Sequence, residues 1–170
     1  QGQGAGHRLK SLQRYSNFAA DGRDDALLNF VSRHDDTSQA IGYDKSMMLF
    51  HMLRRTLGEQ GFEQALKRLW QTHQFERIGF RQVVNTLLAE RPELIAMYQA
   101  WLENPSAPQL RLHDVQLVQQ GTSWQLNLQL EQMSHADIAL EVPIKVSYAT
   151  ATETQRWVVK ADRGINRYSL

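Results

Sequence analysis

At 170 residues and 42% hydrophobic, the chain can bury one sizeable core or two small ones. Its 19 basic and 18 acidic residues leave a net charge of +1, so no overall field favours nucleic acid or an anionic membrane surface. The absence of cysteine excludes disulfides, thiolate metal sites and cysteine nucleophiles, and no apolar run approaches the roughly 20 residues that cross a bilayer.

The opening, Gln1 to Gly6, is glycine-rich and polar, and residues 1–7 read as a linker or cloning remnant. Arg8 to Ala20 follows as a helix carrying Leu9, Leu12, Tyr15 and Phe18. Asp21 to Ala40 is polar apart from Leu27, Leu28, Phe30 and Val31, which predicts a loop with a short packed segment. Tyr43 to Leu57 is apolar nearly all round and meets Gly58, a plausible C-cap. Phe62, Ala65, Leu66, Leu69, Trp70 and His73 then fall on one helical stripe. Phe80, Val83, Val84, Leu87 and Leu88 repeat the spacing. Pro92 suits the first turn of a last helix bearing Leu94, Met97, Tyr98 and Trp101.

Near Pro105 to Pro108 the apolar period changes from helical to two. Leu110 to Gln119 predicts a strand, with His113-Asp114 marking a bulge or turn and Gly121 a hairpin. Trp124, Leu126, Leu128 and Leu130 share one face of the next strand. Ile138 to Tyr148 alternates in the same way, and Pro143 within it favours an edge or a bulge. Arg156 to Lys160 adds another strand, and Asn166 to Leu170 ends inside a strand-like pattern. The fold class is therefore α+β: an N-terminal helical subdomain of about four to five helices, then a small β-sandwich that reads as incomplete. Both termini give the chain the look of an excised piece.

The segment Ile41-Gly42-Tyr43-Asp44-Lys45-Ser46 opening the Tyr43 helix resembles the Tyr-x-Lys-Gly helix of the aminopeptidase N-like zinc metallopeptidases, the gluzincin aminopeptidases. Leu57-Gly58, Phe62, Phe80, the junction Trp101…Pro108-x-Leu110 and Leu130-Glu131-Gln132 match the family in order and spacing, over roughly Asp25 to Leu170. Ser46 departs from it, standing where the family usually has Gly. The resemblance implies that residues 8–104 are the helical part of a gluzincin-type catalytic domain. It implies that residues 108–170 are a fibronectin type III-like β-sandwich that braces the helices. It makes Tyr43 the catalytic residue, a phenol aimed at the oxyanion formed when zinc-activated water attacks a peptide carbonyl.

His-Glu-x-x-His, which holds the zinc and carries the general base in that family, does not occur in this sequence, nor does Gly-x-Met-x-Asn. The expectation is thus no metal ligands or cofactor in this chain, no hydrolysis by it alone, and zinc in the intact parent. The implied partners are an upstream catalytic domain of the same polypeptide and a peptide substrate. The alternative is a non-catalytic structural or protein-interaction module from a family member that has lost its zinc site, with the Gln- and Asn-rich strand faces as a docking surface. Other polar residues have plainer uses. Lys45 suits a solvated or paired helix terminus, and His34-Asp35-Asp36 a solvated loop. His51 and His73 suit packing, Met47, Met48 and Met52 the core, and Arg54-Arg55 a helix C-terminus.

Overall fold

The computed structural model describes residues 2–105, 107–133, 138, 140–147 and 154–170. The chain divides into two compact units, Gln1–Ser106 and Ala107–Leu170. The first is helical and the second is built of antiparallel strands, as the change of period predicts.

In the helical unit, α1 spans Gly2–Ala20 and so begins before Arg8. Residues 4–7 are exposed, so they extend the helix by propagation from the packed turns at Ser11 and Tyr15, not through contacts of their own. The helix ends on Gly22 at φ 71°, with Gly22 N–H bonded to Ala19 O and Arg23 N–H to Phe18 O, a Schellman closure that needs the left-handed glycine.

The polar stretch after it is more ordered than a loop. It holds a 3-10 turn at Leu27–Asn29, whose Leu27 is buried, and a short α2 at Asp36–Gln39. A π-helical turn, Ala40–Lys45, then leads without a break into α3, Ser46–Thr72. Gly58 interrupts α3 at φ 72° and ψ 167°, so the Tyr43 and Phe62 stripes lie on separate helical segments, as the glycine predicts. α4 covers Phe80–Leu87, and a 3-10 turn opening on Pro92 leads into α5, Ile95–Glu103. Leu27, Leu53, Val84, Leu87, Leu88, Tyr98 and Leu102 form the centre of the core, with Phe30, Phe62, Met97 and Trp101 packed around it.

In the strand unit, β1 (Gln109–Gln120), β2 (Ser123–Met133) and β5 (Gly164–Ser169) make a sheet of order β1-β2-β5. β3 (Leu140–Ser147) pairs with β4 (Thr154–Ala161) in a second sheet. Gly121, at φ 61°, opens the two-residue turn between Gln120 and Ser123. The β1–β2 register slips between His113 and Gln116, and Asp114 takes φ 47°, so the bulge lies where the pattern broke. Leu128 and Leu130 of the first sheet share a cluster with Val159 and Ala161 of the second. Trp124 shares their side of β2 but is exposed at the strand's end, while Gln132 continues the stripe and is buried. Pro143 sits in β3, whose one partner strand among the described residues is β4, so its missing donor is tolerated. Tyr148, the last of the alternating run, lies outside the described residues.

Candidate functional site

The segment Ala40–Lys45 carries the chemistry singled out above. A π-helical turn closes i→i+5 bonds and inserts one residue relative to an α-turn, a device often found at functional sites. Here it turns one residue outward: Ala40, Ile41, Gly42 and Asp44 are buried, while Tyr43 is 56% exposed. The phenol therefore projects from a turn whose other members are fixed in the interior.

Four supports hold that turn. Phe30 lies edge-on to the Tyr43 ring, centroids 5.9 Å apart at 74°, and closes over Gly42. A Cβ at position 42 would come within 2.1 to 2.5 Å of Phe30 ring atoms, so glycine is what lets the ring approach. On another side, Arg14 of α1 grips the buried Asp44 carboxylate in a bidentate fork, Nε–Oδ2 2.6 Å and Nη2–Oδ1 2.5 Å. That hydrogen bond raises the Arg14 pKa despite some desolvation. Ser46 Oγ–H donates to Gly42 O at 2.6 Å, so its hydroxyl closes the turn.

The fourth support is Lys45. Its side chain is only 10% exposed, and Nζ donates to the carbonyls of Asp25, Asn104 and Pro105, with Asp24 Oδ1 at 3.4 Å. Burial lowers its pKa, while Asp24 and then Asp25 push the other way. Lys45 is thus a paired residue and not a solvated one.

A cavity of about 200 Å³ is lined by Phe30 together with Asp25, Asn29, Ile41, His34 and Ser38. Asp35, beside it, is occupied as the N-cap of α2: its carboxylate accepts from Ser38 N–H at 2.7 Å, and those bonds lower its pKa. His34 is bonded to Ser32 Oγ at 2.9 Å. Among the described residues, no three His, Asp or Glu side chains converge as a metal site. No helix among them is long and apolar enough to cross a membrane.

The remaining candidates are accounted for locally. His73 bonds Glu76 and Thr86, at 2.8 and 3.1 Å. His51 is half-buried, and burial together with Arg8, Arg55 and Arg54 lowers its pKa. Met52 packs on the core, and Arg54 pairs with Glu59. Sequence reasoning singled out Tyr43 and missed Phe30, Asp44 and Arg14 as its supports. The one available signal was Gly42, which stands where an apolar helix would ordinarily carry a side chain.

No family model matches the chain. Over 70 residues it is 37% identical to Aminopeptidase N of Lactococcus lactis subsp. lactis, a stretch covering 41% of this chain and 8% of that protein. The chain is therefore similar in part to a peptidase, and the match takes in only a small fraction of the relative.

Proposed function

We propose that this chain is part of a zinc-dependent, aminopeptidase-like metallopeptidase, in which the Tyr43 turn forms one wall of a substrate cleft completed by residues of a longer polypeptide. The observation that carries the proposal is a phenol exposed on a π-helical turn whose neighbours are buried and tied down. The partial identity to Aminopeptidase N supports the same direction.

The chemistry follows from the group. Zinc, held outside this chain, would supply the activated water. Tyr43 is fitted to donate one hydrogen bond to the oxyanion that forms as water adds to the peptide carbonyl. A donor already held in position loses little entropy when the charge appears, which is the condition for transition-state stabilisation. Tyr43 does not hold the metal and takes no part in forming the nucleophile. The strand unit contributes no chemistry of its own, and peptide is the substrate class.

The test is Tyr43→Phe in the longer polypeptide, provided it carries His-Glu-x-x-His. Turnover should fall about 100- to 1000-fold with zinc content and secondary structure unchanged. An unaltered rate removes Tyr43 from the mechanism.

A further inference from the structure

Lys45 is an odd residue to find buried within the continuous helical run that begins at Asp36. A lysine there ordinarily extends into water, yet this one is folded inward. The acceptors it meets explain why.

An ammonium has three N–H donors and no acceptor. Asp25 O at 2.9 Å, Asn104 O at 3.0 Å and Pro105 O at 2.6 Å use all three. Asn104 is the C-cap of α5, so its carbonyl is among those left without an intrahelical partner, at the end of the helix that favours positive charge. The Asp24 carboxylate at 3.4 Å offsets the charge and is itself held by Tyr15 Oη–H of α1 at 2.5 Å. The Tyr15 ring lies 5.7 Å from Nζ, within cation–π range. One point charge thus joins the π-turn, the loop after α1 and the end of α5.

We infer that Lys45 is the positioning residue of the Tyr43 turn. By anchoring the turn to the α5 terminus and the Asp24-Asp25 loop, it fixes the direction in which the phenol points. Tyr43 is two residues away, and a turn released at Lys45 keeps the Arg14–Asp44 fork and the Phe30 contact on its other sides. It therefore loosens without unfolding. Arginine cannot substitute, because its planar fork does not converge on three carbonyls as a point donor does. The catalytic consequence rests on the proposed function; the anchoring does not.

The experiment is site-resolved amide exchange on the 170-residue chain and its Lys45→Met and Lys45→Arg variants. In Lys45→Met, residues 40–46 and Asn104 should exchange about ten-fold faster or more, with residues 59–72 within about two-fold of wild type. Lys45→Arg should restore less than about half of the lost protection on a logarithmic scale. No change at the turn, a uniform change across the helical unit, or full rescue by arginine each overturns the assignment. Should Lys45→Met fail to fold, the wild-type chain decides. A saturated ammonium gives a slowly exchanging NH3+ resonance with contacts to Tyr15, and a fast-exchanging one overturns the inference. In a longer polypeptide with peptidase activity, Lys45→Met should lower kcat and leave KM in place. A loosened turn with unchanged kcat upholds the anchor and counts against Tyr43 chemistry.

Discussion

In the helical unit burial is concentrated: Leu27, Leu53, Val84, Leu87, Leu88, Tyr98 and Leu102 are at most 1% exposed, and aromatic residues pack around them. In the strand unit burial is lopsided. β2 carries Leu128 and Leu130 into the shared cluster, yet Leu110, Leu112 and Leu117 of β1, paired with Gln132, Leu130 and Leu126 on the same face, stay 43 to 58% exposed. Each fully buried aliphatic side chain contributes about 1.5–3 kcal/mol, so the two units have unequal means of holding their polar groups in place. The helical unit can fix an exposed phenol because the turn beneath it is anchored in a dense interior. The half-covered sheet offers no comparable platform, and none of the candidate chemistry lies on it.

The difference can be broken most directly at the centres of burial. Leu53→Ala should lower unfolding free energy by about 2–5 kcal/mol, and Leu112→Ala by less than about 1 kcal/mol, both read from denaturant melts. Equal losses would erase the distinction.

A smaller effect is expected at the turn. Alanine normally improves a helix over glycine by up to about 1 kcal/mol. At Gly42 its Cβ meets the Phe30 ring, and the overpacking should instead cost about 1–3 kcal/mol. Phe30→Leu in the Gly42→Ala background should recover part of the loss. A stabilised Gly42→Ala would mean the ring gives way freely and is no support for Tyr43.

The smallest effect concerns pH. Burial, with Arg8, Arg55 and Arg54, holds the His51 pKa below its ordinary value near 6.5. The unfolded chain thus takes up the proton first, so the associated stability is present above that value and is lost as pH falls through the folded one. Melts at about pH 7.5 and about pH 5 should differ slightly, and His51→Gln should narrow the gap. Because His51 is only half-buried, most of its charge remains solvated and the change stays small.

Much of the fold was legible because period reports burial. The Phe62 and Phe80 stripes became helices, the alternating runs became strands, and Gly58, Gly121 and the His113-Asp114 break fell where backbone geometry needed them. The π-turn was not legible, since side-chain spacing does not reveal which carbonyl an amide meets. The Arg14–Asp44 fork joins residues thirty apart with no local pattern to announce it. Lys45 was hardest of all: its three partners at closest range are main-chain carbonyls, which carry no side-chain identity to read. Tyr43 was reached through family resemblance alone, and its exposure and supports had to come from the fold.

The central claim is that the Tyr43 phenol is held ready for charge that appears only in the transition state. The most direct measurement is the affinity of a tetrahedral phosphinic peptide for the longer polypeptide, with and without Tyr43→Phe. Loss of analogue affinity in step with kcat/KM, at unchanged affinity for the substrate's product, is the result expected of a transition-state donor. Analogue affinity that is indifferent to the missing hydroxyl would contradict it.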